Sequence, residues 1–338
     1  MPGLDDLLNF VLRAVDVAPR YESANCTAVR RSPKACRICV DACPHQAVSL
    51  KKLVEIDKID CTGCGICVQE CPTGALATRA VVDVGSVRCS KVQGDAQSVV
   101  CLARLEASDM VRLAGNASEL TLAHGDCEGC SIGSAKVPEL VSKQARQAER
   151  LLGVVGRQVT VSVTRHERFD HRSPGGKYTR RSLFRSVGRS ARNASAEALE
   201  PLERLLPPEA GKSELPPMPV EHSRRLDYLR SASAAPETLV PWRLPVVDDG
   251  CILCPYCTRA CPTGAFSRQL GGELASDRSD GSLILDPQLC IGCDVCVDAC
   301  PVNVISMRDE VTAGEVLGGP TVAYNSARSG GAPGTLAR

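Results

Sequence analysis

Cysteine is the residue in this chain whose type and spacing carry chemistry. The 338 residues include 20 Cys, and all but Cys26, Cys89 and Cys101 fall in runs with two or three residues between neighbours. Three runs share the form C-x2-C-x2-C-x3-C-P: CTGCGICVQECP from Cys61, CILCPYCTRACP from Cys251 and CIGCDVCVDACP from Cys290. A fourth, CRICVDACP from Cys36, lacks its first Cys. Three thiolates spaced this way close on one corner of a metal core. The fourth, followed by Pro, turns away and serves a neighbouring core.

That rule groups the cysteines into sets. In the N-terminal part, Cys26, Cys36, Cys39 and Cys71 form one set, and Cys61, Cys64, Cys67 and Cys43 the other. In the C-terminal part the sets are Cys251, Cys254, Cys257 and Cys300, then Cys290, Cys293, Cys296 and Cys261. Cys26 lies ten residues before Cys36 and is the only nearby thiol able to complete its set. The longer loop costs little extra closure entropy, which grows only logarithmically with length. A three-Cys core or a buried free thiol at Cys26 are the other readings.

So many Cys could mean a secreted disulfide framework. Their grouping, and an N-terminus that does not read as a signal peptide, point instead to metal ligation in a reducing cytoplasm. Aromatic residues make up only 3%, so bound metal is expected to replace part of an ordinary core. A net charge of +1 gives no global pull toward nucleic acid or lipid. No apolar stretch approaches the ~18 residues of a membrane span.

The elements that must hold these cysteines are legible in part. Residues 1–84 open on an amphipathic helix with Leu4, Leu7, Leu8, Val11, Leu12 and Val15 at helical spacing, then form the first two-core module. After each fourth Cys comes a short strand phrase, and Asp57 and Asp286 stand four residues ahead of Cys61 and Cys290. This is a duplicated half-unit with hairpin strands beside two cores. Glycines such as Gly63, Gly65 and Gly292 let backbone N–H groups approach sulfur.

Residues 85–165 alternate strand and helix, with strands expected at 86–89, 98–102, 119–123 and 158–163 and helices at 107–116 and 138–152. That pattern implies a small parallel sheet covered by helices. Cys89, Cys101 and Cys127 fall at or just past the carboxyl ends of strands, with Cys130 close behind, so the four can converge on one sheet edge.

Residues 166–245 read as a basic, Pro-rich linker. The stretch TRRSLFR from Thr179 resembles a twin-arginine export signal, but it is internal and no apolar run follows it. The basic segment reads either as a helix on the protein's own acidic surface or as a strap for a partner. Residues 246–310 repeat the two-core module, with a polar insertion at 271–280, and 311–338 read as a disordered tail.

The C-x2-C-x2-C-x3-C-P runs resemble the bacterial-type ferredoxin family with two [4Fe-4S] clusters, present here twice. The resemblance implies an α+β chain with two ferredoxin-like dicluster modules flanking the α/β segment, four [4Fe-4S] clusters and one-electron transfer. The middle segment, LAHGDCEGC from Leu122 with Cys101, more distantly resembles the small iron–sulfur subunit of hydrogenase and heterodisulfide reductase complexes. That implies a [2Fe-2S] cluster on Cys89, Cys101, Cys127 and Cys130. The residues themselves leave [2Fe-2S], [4Fe-4S], Zn or an unmetallated dithiol open, because thiolates suit all of these.

The functional expectation is a polyferredoxin, most simply a non-catalytic subunit of a cytoplasmic oxidoreductase. Its partners are expected to be a catalytic subunit such as a hydrogenase or a molybdenum or tungsten enzyme, or another ferredoxin. Two alternatives are a middle domain that is itself a disulfide or small-molecule reductase, and a redox sensor acting through the basic connector. His45, His124, His166, His171 and His222 read as solvent or core residues, except that His124 beside Cys127 can tune the middle site.

Overall fold

Short antiparallel pairs frame the N-terminal cysteines. The structure, a computed structural model, describes residues 17–32, 34–78, 82–169, 217–270 and 281–326. Strand β1 (Arg20–Tyr21) and helix α1 (Thr27–Arg30) lead to α2 (Ile38–Asp41). The hairpin β2 (Val48–Leu50) and β3 (Val54–Ile56) follows, then α3 (Ile66–Glu70) and β4 (Leu76–Ala77). Strand β2 pairs with β3, and β1 pairs with β4. The apolar residues here form only two small clusters, one around Cys26, Ala28, Val48, Val54 and Ala75, the other around Cys67, Val68 and Leu76. The expected helix over 4–15 lies outside the described residues.

The middle segment is a four-stranded sheet whose strands β5 (Val87–Cys89), β6 (Gln97–Val99), β7 (Glu119–His124) and β8 (Thr160–Arg165) run parallel in the order β6-β5-β7-β8. Helices α4 (Ala107–Ala114) and α5 (Val137–Gly153) connect them. Helix α5 starts beside Pro138, whose missing N–H costs nothing in the first turn. It buries Val137, Val141, Ala145, Ala148 and Leu152 along one stripe, and Leu151 with them. Each fully buried Leu or Val in this stripe contributes about 1.5–3 kcal/mol. The expected spans match these elements to within a few residues, except that 98–102 ends early. Cys101 stands between β6 and a 3-10 turn at Leu102–Arg104.

The Pro-rich linker is not bare connector throughout. Helix α6 (Val220–Ser231) begins at Pro219, and β9 (Leu239–Val240) and β10 (Leu244–Val247) follow. Helix α6 binds both neighbours: Arg224 reaches Asp109 of α4 at 3.2 Å, and His222 Nε2 donates to the Gln288 carbonyl at 2.8 Å. Trp242 stacks edge-on to His222 and under Arg225. These side-chain contacts are long-range, so composition alone does not announce them. The basic stretch 170–192 lies outside the described residues.

Burial pushes the His222 pKa down from 6.5 to about 4. Between those values the unfolded chain binds more protons than the folded one, so stability rises with pH. The contribution of neutral His222 is complete above about pH 6.5 and is lost as the pH falls toward 4. Replacing His222 with Gln is expected to flatten this limb of a melting-temperature versus pH curve. An unchanged slope would assign the limb to other groups.

The C-terminal module contains α7 (Tyr256–Ala260), β11 (Phe266–Leu270), β12 (Gly281–Leu285), α8 (Val295–Ala299) and β13 (Ile305–Arg308). Strand β10 pairs with β13 and β11 with β12, the same antiparallel scheme as in the first module. The expectation of a disordered tail from 311 is corrected by β14 (Val311–Thr312), α9 (Ala313–Leu317) and β15 (Thr321–Asn325). Strand β15 pairs with β12, β14 pairs with β9, and Thr312 with Glu315 forms a capping box on α9. Small residues hide this segment in the sequence, yet Val311 and Val316 are fully buried. The insertion 271–280 and residues beyond 326 lie outside the described residues.

Candidate metal centres

The turn after each fourth Cys has one conformation in all four runs. Gln46, Gly74, Gly264 and Asn303 each stand three residues past that Cys with φ of 54°, 62°, 72° and 54°. A left-handed residue there returns the chain from the Cys-Pro step into the next strand. Gly serves in two runs, while Gln and Asn tolerate the conformation in the others.

In the N-terminal module the structure brings Cys26, Cys36, Cys39 and Cys71 around one small pocket, beside Tyr21 and Val54. Cys26 is 8% exposed and stands at the start of α1. Burial, then Cys71 and Cys36, pushes the Cys39 thiol up to about 11. The second set also gathers: burial raises Cys64, and Cys43 and Cys61 add to it. Cys67 is raised by burial and then by Cys64, Cys61 and Cys43, with Cys39 of the first set next.

The C-terminal module repeats this. Cys261, Cys290, Cys293 and Cys296 line a small pocket. Burial pushes Cys290 up to about 12 and Cys293 to about 11. Burial also pushes Cys257 up to about 12, with Cys254, Cys251 and Cys300 adding to it. Cys257 is in turn one of the charges that raise Cys296, so the two sets adjoin.

The middle four also meet. Cys89, Cys101, Cys127 and Cys130 line one small pocket at the carboxyl edge of the sheet, with Lys91, His124 and Ile132. His124 Nδ1 lies 2.7 Å from the Gly125 carbonyl and 3.6 Å from Cys127 Sγ. A carbonyl only accepts, so Nδ1 carries the proton and faces sulfur as a donor. Burial pushes Cys127 up to about 12, with Cys130 and Cys89 adding to it.

Several residues around the thiols have no motif of their own. Arg104 Nη1 donates to the Gly63 carbonyl at 2.9 Å, and Arg243 Nη1 to the Gly292 carbonyl at 3.5 Å, the same place in each module. Ala265 N–H donates to Cys261 Sγ at 3.2 Å. Thr73 and Thr263, both 1% exposed, place their hydroxyls 3.7 and 3.6 Å from Cys71 and Cys261. The repeated CPTGA at 71 and 261 was the available signal for the threonines. Nothing in the sequence marks the arginines.

His45, expected to be unremarkable, joins two sites. Its Nε2 donates to the Ile132 carbonyl at 2.9 Å, the Thr62 hydroxyl donates to the same oxygen at 2.7 Å, and Ile132 N–H donates to Cys130 Sγ at 3.4 Å. Gly65 presses on the same side: a Cβ there would stand 2.6 Å from the Ala103 carbonyl oxygen. Cys64 is among the charges that raise Cys101, after burial.

All 20 Cys are free thiols. Thiols that raise one another in buried space favour the neutral form, whereas a cationic core favours thiolates and displaces their protons. The donor set therefore fits a soft metal centre. Among the described residues no group of three or more His, Cys, Asp or Glu is arranged to hold a single ion.

A 4Fe-4S dicluster domain family matches residues 34–75, and a second 4Fe-4S dicluster domain family matches residues 250–305. Both ends of the chain carry ferredoxin-like iron–sulfur domains. Such dicluster domains support an electron-transfer role and imply redox partners. The first ferredoxin-like match starts after Cys26, while the second includes all eight C-terminal Cys. No curated protein and no solved structure matches the chain. Among the described residues no helix is long and apolar enough to cross a membrane.

Proposed function

We propose that the chain is a polyferredoxin that relays single electrons between partner proteins through five adjoining thiolate sites. Cys26, Cys36, Cys39 and Cys71; Cys43, Cys61, Cys64 and Cys67; Cys251, Cys254, Cys257 and Cys300; and Cys261, Cys290, Cys293 and Cys296 each hold a [4Fe-4S] cluster. Cys89, Cys101, Cys127 and Cys130 hold a fifth centre, [2Fe-2S] or [4Fe-4S]. A bound cluster supplies one-electron redox chemistry whose potential is set by hydrogen bonds to sulfur, charge and exposure. The partner is a catalytic oxidoreductase subunit or another ferredoxin, in the cytoplasm.

The observation that carries this reading is adjacency. Cys64 and Cys101 belong to one packed cluster, with Gly65 pressed on Ala103 between them, and Cys39 packs against the cluster that holds Cys67. Beyond Cys26, Arg30 Nη2 donates to the Arg259 carbonyl at 3.1 Å and Arg31 Nη2 to the Asp298 carbonyl at 3.4 Å, on α7 and α8 of the C-terminal module. The order is thus middle site, second N-terminal set, first N-terminal set, C-terminal module. His124, Ala265 and the Ile132 loop supply hydrogen bonds at sulfur, and Arg104 and Arg243 add positive charge beside the second run of each module.

Iron and acid-labile sulfide analysis with Mössbauer spectra of anaerobically purified chain tests the proposal. About sixteen irons from four cubanes are expected, plus two or four more from the middle site. One zinc per chain in place of the additional iron would remove the fifth centre. Colourless protein would remove the whole reading.

A further inference from the structure

A cleft with no cysteine in it lies between the middle segment and α6. It encloses about 540 Å³ and is bordered by α4, the end of α5 and α6, a size that accommodates a small organic ligand. Its charge is one-sided. Arg112, Arg157, Arg224 and Arg225 line it against Asp109 and Asp227. Asp227 is paired outward with Arg230 at 3.4 Å. Asp109, 3% exposed, shares one carboxylate oxygen between Arg112 at 3.4 Å and Arg224 at 3.2 Å. One carboxylate thus faces several guanidinium groups. Glu106 and Glu221 stand behind the cleft, where burial raises both carboxyls against the pull of Arg225.

Two buried donors at the cleft lack acceptors. Among the described residues, Tyr228 Oη and Arg225 Nε are buried and have no hydrogen-bond partner, a state that is costly unless an acceptor arrives. Arg157 and Tyr228 both line the cleft, so it presents a cation and a hydroxyl donor. Arg157 spends one N–H on the Ala117 carbonyl at 3.3 Å and keeps others. Val111, Leu151 and the Tyr228 ring supply an apolar wall.

We infer that this cleft binds a mononucleotide, with its phosphate on Arg157, Arg224 and Tyr228 and its planar base against the apolar wall. Planar guanidinium forks match phosphate oxygens bidentately and stack on aromatic faces. A bare inorganic anion would leave the apolar wall wet, and an uncharged nucleoside would leave the arginines unpaired. The site is separate from the thiolate sets and does not depend on their metal content.

The test is isothermal titration of the full-length, cluster-loaded chain with adenosine monophosphate, flavin mononucleotide, adenosine and inorganic phosphate. Saturable binding of at least one mononucleotide is expected, at least tenfold tighter than adenosine or phosphate. Arg157→Gln is expected to weaken it at least tenfold and Tyr228→Phe severalfold, with iron content and melting temperature unchanged. Failure of both mononucleotides to saturate overturns the inference, as does phosphate binding as tightly as the nucleotide. Undiminished binding by Arg157→Gln also overturns it. None of these outcomes alters the iron count, so the electron-relay reading is judged separately.

Discussion

Cys26→Ala is expected to remove about four irons per chain, one cubane, and to leave the C-terminal clusters intact. The magnitude follows from where the residue stands. Cys26 is 8% exposed, faces the same cavity as Cys36, Cys39 and Cys71, and belongs to one of the two small apolar clusters of its module. With so little apolar packing, ligation supplies much of the local cohesion, so the N-terminal module should also melt at lower temperature. The measurement is iron analysis paired with paramagnetic resonance of the reduced protein. Unchanged iron with the full set of signals would return Cys26 to the status of a buried thiol and leave a three-Cys site.

Cys101→Ala should abolish the middle centre alone, a loss of two or four irons, and should alter the redox behaviour of the neighbouring second N-terminal set. Cys101 is 6% exposed and lies beside Cys89, Cys127 and Cys64. Potentiometric titration followed by paramagnetic resonance distinguishes the outcomes. A shift confined to the set of Cys43, Cys61, Cys64 and Cys67 supports the relay order. Full iron retention would refute a centre at this edge, and signal loss spread evenly over both modules would indicate general unfolding rather than a missing ligand.

How much of this was legible beforehand depended on distance along the chain. A C-x2-C-x2-C run places three thiols within one short loop and helix, so spacing alone groups them. The strand and helix periods of 85–165 likewise repeat over a few residues, and they locate the sheet and the edge where Cys89, Cys101 and Cys127 emerge. Long-range arrangements were hidden. Gln46 and Asn303 occupy the same left-handed turn as Gly74 and Gly264, but only the glycines advertise it. His45 carries no motif that links it to Ile132, 87 residues away.

By itself the sequence determined where the thiols gather along the chain, because a C-x2-C-x2-C run confines three of them to one short loop and helix. Only the tertiary structure decided how the sites adjoin. That order rests on Gly65 against Ala103, Arg30 on the Arg259 carbonyl, and α6 between α4 and Gln288. It also decided that residues 311–326 complete the C-terminal module, since an edge strand such as β15 is held by backbone pairing to β12 rather than by its own side-chain pattern. The same reason hid the arginine-lined cleft: its residues come from three helices with separate local patterns, and they become one site only when those helices pack.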